Sequence, residues 1–232
     1  MSDQQSTFSS RFLILLLFVV VIIPFLPLLI TWRWGWWEAW IYACIWILGF
    51  AVSRALLAQR HPDLLAERAR FMQHENAKPW DRILSPLVGL GSGLIPLVAG
   101  LDARFGSSLT FSLPTKIVSL FFILAGFVWA SYALLENRFF SGMVRIQTDR
   151  GHHVVSSGPY RWIRHPGYAG ALASFWATPF FLDSLWAFLP ATLVTVALVI
   201  RTHLEDNTLQ NELDGYRDYA RQVRYRLLPG VW

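Results

Sequence analysis

The sequence predicts an all-α integral membrane protein: four transmembrane helices, a C-terminal helical hairpin and a cytoplasmic amphipathic tail helix. Three observations carry this expectation. Apolar residues make up 54% of the 232 and charged ones 15%, with 12 Trp and 17 Phe, so charge is confined to a few loops. Several apolar runs are long enough to cross a hydrocarbon layer of roughly 30 Å. Lys and Arg, finally, are shared unevenly between alternate loops. The net charge of +5 is accounted for by loops facing anionic lipid and does not call for a nucleic-acid partner. Cys44 is the sole cysteine, which excludes an intrachain disulfide and a multi-cysteine zinc site.

Residues 1–10 are polar, and the apolar run 12–30 is the first span, with a kink expected at Pro24 and Pro27. It exceeds the apolar core of a signal peptide, and no small-residue cleavage pattern follows it. Trp32, Trp34, Trp36 and Trp37 then read as an interfacial aromatic belt. The second span is 39–57, with Arg54 near its end, where a long side chain can snorkel. In the polar loop 58–82, residues 62–68 have the pattern of a short amphipathic helix on the membrane surface. The third span, 83–101, contains Gly89, Gly91, Gly93 and Gly100, which permit close helix packing. A weakly charged loop, 102–116, leads to the fourth span, 117–135. The second large polar loop, 136–168, precedes two shorter apolar segments, 169–182 and 185–200, joined only by Asp183-Ser184, hence the hairpin. The tail, 201–232, is polar and helical in pattern as far as Leu227. Residues 1–135 therefore form the N-terminal membrane helices and 136–232 a C-terminal functional region, within one membrane domain.

Charge orients these segments. Only Arg33, Arg104 and Lys116 of the 20 basic residues lie in the loops after the first and third spans; the other 17 lie elsewhere. The positive-inside rule then puts both termini, both large loops and the tail in the cytoplasm.

Chemistry concentrates in residues 157–170. Pro159 and Pro166 turn the preceding residues away from helix, and Gly158, Gly167 and Gly170 let backbone approach a ligand closely. Two arginines, a histidine and two tyrosines share this stretch at the mouth of a membrane segment. Downstream, Arg201, Glu205, Thr208 and Glu212 recur on one helical face, with Arg201 and Glu205 spaced to pair at i,i+4. A solvated ion pair is the ordinary account of such a face, but charges at membrane depth generally serve a site. His165 has the chemistry of a general base. His152-His153 has no spaced partners to complete a set of metal ligands, and no glycine run here forms a dinucleotide fingerprint. The residues thus describe a cytoplasm-facing pocket, walled by aromatic and basic groups from 154–170 and carboxylates from 201–212.

The order Val154-Val155-x-x-Gly158-Pro159-Tyr160-x-x-x-Arg164-His165-Pro166-x-Tyr168-x-Gly170, then a hairpin, Arg201-x-x-x-Glu205-Asp206 and Gly215-x-x-x-Tyr219, resembles the isoprenylcysteine carboxyl methyltransferase family, related to the membrane phospholipid methyltransferases. The resemblance covers about the last 85 residues. It implies an S-adenosylmethionine-dependent methyltransferase acting on a lipid or prenylated small molecule in the membrane. It further implies that Val154, Val155, Gly158, Tyr160, Arg164, His165, Pro166 and Tyr168 contact the cofactor. Glu205 and Glu212 would hydrogen-bond it from the tail helix. Arg201 would act with Glu205 in catalysis, near the acceptor's carboxylate or phosphate. Where the family often has two consecutive glutamates, this chain has Glu205-Asp206. If the acceptor is a carboxylate, no general base is needed and His165 serves the cofactor; an amine acceptor, as in phospholipid N-methylation, would need one. Two other readings compete. Sterol-type reductases carry a similar Arg-His-Pro-x-Tyr loop and use NADPH, but usually have Asn after Pro and an acid soon after Tyr, where this chain has Gly167 and Ala169-Gly170-Ala171. The third reading is a non-catalytic lipid-binding membrane protein.

Overall fold

The computed structural model describes residues 16–70, 76–106 and 109–232, so the start of the first span and the polar segment 1–10 lie outside the described residues. Every regular element among them is helical. A π turn, Phe18–Ile22, runs into α1 (Ile23–Thr31), immediately before the expected kink residues Pro24 and Pro27. There follow α2 (Trp37–Arg60), α3 (Pro62–Ala69), α4 (Asp81–Gly91), α5 (Leu94–Phe105), α6 (Leu113–Glu136), α7 (Pro166–Phe181), α8 (Phe188–Glu212) and α9 (Tyr216–Gln222).

Among the described residues, four helical stretches are long and apolar enough to cross a bilayer: Trp37–Arg60, Asp81–Phe105, Leu113–Glu136 and Phe188–Glu212. Three are the second, third and fourth predicted spans, the third broken by a turn at Ser92-Gly93. The fourth is the second hairpin arm, which continues without a break through the helical face of Arg201, Glu205, Thr208 and Glu212, as their spacing leads one to expect, so hairpin arm and tail helix are one 25-residue helix. Backbone hydrogen bonding carries the helix across the sequence's change from apolar to polar, because propensity does not change there. The first arm, α7, has only 16 residues.

These helices place apolar residues outward as well as inward. Phe121, Leu193 and Ile117 are 63%, 61% and 58% exposed, as suits a lipid-facing surface. Inside, a single cluster joins Leu28 of α1, Tyr42 of α2, Ile95 of α5, Ile123 of α6, Phe175 and Phe181 of α7 and Leu198 of α8. Trp36 belongs to this core rather than to the interfacial belt, whereas Trp32 and Trp34 are exposed. The most extensive helix contact, α6 on α7, depends on Gly126 and Gly170: a Cβ on either would stand 2.4 Å from the other's carbonyl oxygen. Only glycine lets the two backbones meet.

The end of the bundle that carries the loops after α1 and α5 is closed by polar bonds. Lys116 pairs with Glu38 and, at 2.5 Å, with Asp183 at the α7–α8 turn, while Ser184 Oγ donates to Asp102 at 2.7 Å. At the opposite end α3 is helical as expected, yet it does not lie free on a surface. It buries Leu64 and Glu67, the latter paired with Arg145 at 2.8 Å. This packing holds the second large loop against the helix ends.

Candidate functional site

The motif 157–170 begins with Gly158 at φ +55°, the left-handed region that glycine enters without strain, and makes one 3₁₀ turn, Gly158–Arg161. Pro166 occupies the first turn of α7, where its missing N–H costs nothing. Between them, the N–H groups of Arg164 and His165 donate to the carbonyls of Tyr225 and Arg226 at 3.0 and 2.9 Å, so the C-terminal segment straps the motif from outside.

Asp206 holds this arrangement together. It is fully buried, and its carboxylate accepts from Arg164 Nε (2.7 Å) and Nη2 (3.0 Å), Arg226 Nε (2.8 Å), Gln210 (2.7 Å) and Tyr216 (3.1 Å). His165 Nε2 lies 3.4 Å from it. Arg164 also donates to the carbonyl of Val223 at 2.7 Å. One carboxylate therefore ties α8, the motif, α9 and the C-terminal strap.

A second chain of bonds lies on the same helix. Arg201 is not paired with Glu205. Its Nε and Nη2 grip Asp81 of α4 at 2.7 and 3.0 Å, Nη2 also meets Gly142 O, and Nη1 donates to the Tyr168 hydroxyl. Tyr168 in turn donates to Glu205 Oε2 at 2.6 Å. The i,i+4 pairing expected on a solvated face gives way because Arg201 is buried and the planar fork finds the buried Asp81 carboxylate across the interface. Among the described residues, Arg201 and Glu205 are linked through Tyr168.

These groups surround a cavity of about 70 Å³ at the loop end of the bundle. Val154, Val155, Tyr160, Arg164, His165, Tyr168, Arg201 and Glu205 all line it, as the sequence leads one to expect of a shared pocket. Gly158, Pro166 and Glu212 do not reach it. Gly158 packs toward Glu136 and Tyr132, and Pro166 is buried at the helix start. Glu212, at the last residue of α8, turns outward to Lys78 at 2.6 Å, with 44% of its side chain exposed. Its i+7 spacing from Glu205 aligns the two azimuthally, but it sits about 10 Å further along the axis, beyond the pocket.

Several lining residues lie outside the motif: Phe139, Phe140, Met143, Arg145 and His152 from the second large loop, and Tyr216 and Tyr219 around α9. Only the Gly215-x-x-x-Tyr219 spacing pointed to any of them; the rest enter by loop folding that no local pattern announces. Arg145 is fixed by Glu67 and by Asp149 at 2.7 Å, and these carboxylates, Asp149 first, hold its guanidinium above its ordinary range. His152 Nδ1 accepts from the Gln147 N–H at 3.2 Å, and its ring lies 4.6 Å from that of Phe139. Burial, then the charges of His153, Arg145 and Arg150, push its pKa down to about 4, so the ring is neutral near pH 7. Burial pushes the hydroxyls of Tyr160 and Tyr219 above their ordinary range, and Tyr219 donates to Tyr160 O at 2.7 Å. His165 stacks on Tyr168 at 5.7 Å and 7°.

Glu205 is the exception in a well-satisfied site. Its Oε2 takes the Tyr168 hydroxyl, whereas Oε1 makes no hydrogen bond among the described residues. The pocket thus combines a carboxylate oxygen available to a donor, rigidly held protonated tyrosines and apolar ring surfaces. It can accept hydrogen bonds from a polar ligand and cover a flat ring.

Residues 105–214 match the family model described as phospholipid methyltransferase. The Delta(14)-sterol reductase TM7SF2 of Mus musculus is 32% identical over 95 residues, 40% of this chain and 23% of that protein. The methanethiol S-methyltransferase of Mycobacterium tuberculosis is 39% identical over 71 residues, 30% of this chain and 28% of that protein. The chain thus spans about a quarter of the length of the curated relatives it matches.

Proposed function

We propose, for a chain whose residues 105–214 are of the phospholipid methyltransferase family, that it transfers a methyl group from S-adenosylmethionine to a lipid-like acceptor, the carboxylate of an isoprenylcysteine-type amphiphile. The observation that carries this reading is the Glu205 carboxylate, oriented by Tyr168 and retaining a free oxygen inside an aromatic pocket. That oxygen suits the ribose hydroxyls or the ammonium group of the cofactor, and Tyr160, Tyr216, Tyr219 and Phe139 supply ring surface for its adenine. The cavity of about 70 Å³ is small beside the roughly 300 Å³ or more of typical ligand pockets, so the cofactor enters by displacing a wall, in this reading the 139–155 loop. When bound, the cofactor supplies an electrophilic methyl group on a sulfonium.

The protein's own contribution is then positioning and exclusion of water. A carboxylate acceptor needs no proton removed, which suits His165, stacked on Tyr168 and facing Asp206, as a positioning residue rather than a base. Apolar grooves of about 1010 and 720 Å³ flank α6 and offer room for an acceptor's hydrocarbon chain. The functional region is 136–232, carried on the helices of 1–135. The distribution of basic residues favours cytoplasmic termini, which puts this pocket on the cytoplasmic side.

The test is a titration of the detergent-solubilised protein with S-adenosylmethionine, followed by tritiated methyl transfer to total membrane lipid. Binding to the folded state alone raises the unfolding temperature by mass action. A rise with the cofactor that Glu205→Gln weakens supports the reading. The similarity to a sterol reductase supports a second reading, with NADPH in this pocket. A flat response to S-adenosylmethionine beside a rise with NADPH would establish that reading instead, and a flat response to both would leave lipid binding without catalysis.

A further inference from the structure

Three buried side-chain polar atoms lack a hydrogen-bond partner among the described residues: Trp46 Nε1, Arg54 Nη1 and Asp102 Oδ1. The first two are donors, and with Phe50 they form one i, i+4, i+8 ridge of α2. Among the described residues Arg54 makes no ion pair or hydrogen bond, and its guanidinium lies over the Phe50 ring, 4.8 Å from the centroid. Unsatisfied donors of this kind are rare in native proteins and ask for an acceptor.

A second arginine without a carboxylate stands nearby. Arg54 is one turn before Leu57 and Arg68 one turn after Leu64, and those two leucines pack together with Leu134 and Phe140. Arg68 donates to Phe140 O at 2.8 Å and lies over that ring at 5.6 Å, but no acidic group among the described residues meets it. Burial first, then the charge of Arg54, push its guanidinium below its ordinary range, and the Leu57–Leu64 packing brings together the two helical stretches that carry these cations. Phe140 connects them to the pocket: it lines the cavity, packs on Gly167 and stands 6.2 Å from Tyr168. Arg201, by contrast, is committed to Asp81. Arg54 also lies six residues before the end of α2, about 9 Å along the helix axis, where an amphiphile keeps its head group while its chain remains in the bilayer.

We propose that Arg54 and Arg68 form the binding site for the anionic head group, carboxylate or phosphate, of the amphiphile acceptor. This rests on the methyltransferase reading, and it moves the acceptor contact from Arg201 to two residues of the N-terminal helices. Half-buried cations that meet no carboxylate among the described residues are costly, and an anion with two or more oxygens relieves both at once. The two planar forks favour carboxylate and phosphate over a neutral amide of the same size.

The test measures binding to the full chain in detergent micelles by equilibrium dialysis, using radiolabelled S-farnesylcysteine, its carboxamide and dodecyl phosphate. Wild type is expected to bind the acid at least about tenfold more tightly than the carboxamide. Arg54→Gln and Arg68→Gln should each erase most of that preference, with Arg54→Lys retaining part of it and S-adenosylmethionine affinity within about twofold throughout. Tight binding of dodecyl phosphate that falls in the same variants extends the site to phosphate; binding confined to the acid restricts it to carboxylates. Should a Gln variant not fold, a diazirine placed beside the carboxylate of S-farnesylcysteine is photolysed on wild type and the adducts mapped. Labels on residues 50–57 and 64–70 support the site. Folded Gln variants that keep the preference, or labels confined to α8, overturn it. If the acid preference depends on the arginines while S-adenosylmethionine never binds, the methyltransferase reading fails and the head-group site stands.

Discussion

Replacing Arg201 by alanine distinguishes a residue that holds the bundle together from one that waits for substrate. The side chain is 6% exposed and its partner Asp81 is fully buried. The substitution removes two hydrogen bonds to Asp81, one to Gly142 O and one to Tyr168, and leaves the Asp81 carboxylate, among the described residues, with the Val144 N–H at 2.6 Å. Removing one member of a buried ion pair costs about 3–5 kcal/mol, because the remaining charge is stranded in low dielectric. Arg201→Ala should therefore destabilise the protein by about that amount, and Asp81→Ala by a similar amount. The double variant should cost less than the sum by roughly 1–3 kcal/mol, since the second substitution removes a charge already unpaired. The assay is unfolding in mixed micelles with increasing denaturing detergent, followed by tryptophan fluorescence for all four members of the cycle. If Arg201→Ala unfolds within about 1 kcal/mol of wild type and adds to Asp81→Ala without coupling, the buried pair is not what Arg201 serves. A selective loss of turnover in that variant would then return it to the acceptor.

Further outcomes follow from the same geometry. Asp206→Asn should lower the unfolding temperature by on the order of 10 °C, because Arg164 and Arg226 lose their shared anion, and should expose 216–232 to protease before the rest; equal susceptibility along the chain would contradict the strap. Gly158→Ala should cost about 1–2 kcal/mol from its left-handed backbone and the crowding of Glu136, read as a lower unfolding temperature with S-adenosylmethionine affinity largely kept; no change would mean that the turn relaxes freely. His152 has a folded pKa depressed from 6.5 to about 4, so the unfolded chain takes up a proton first. Its contribution to stability is full above pH 6.5 and lost as pH falls toward 4, and a His152→Gln variant should lack that part of the acid sensitivity in unfolding scans. An unchanged pH profile would show that the ring is solvated.

The chain by itself determined the membrane class, three of the spanning helices and the membership of most of the pocket. Hydropathy and helical period are local properties, and the motif 157–170 carries its own turn chemistry in Gly158, Pro159 and Pro166. Tertiary structure alone decided the partners. Arg201 and Glu205 have the spacing of an ion pair, yet burial against α4 sends Arg201 to Asp81, 120 positions away, and leaves Glu205 to Tyr168. Glu212 shares a helical face with Glu205 but lies beyond the pocket on the axis, a distance that a face pattern does not encode. Asp206 is one residue from Glu205 and about 100° away around the helix, which turns it from the pocket into the buried junction with Arg164 and Arg226. Arg54 read as a side chain reaching for the interface, but its Nη1 is enclosed by the packed bundle without an acceptor. In each case the local pattern set which face a side chain takes, and the neighbouring helix supplied the charge or the lack of one.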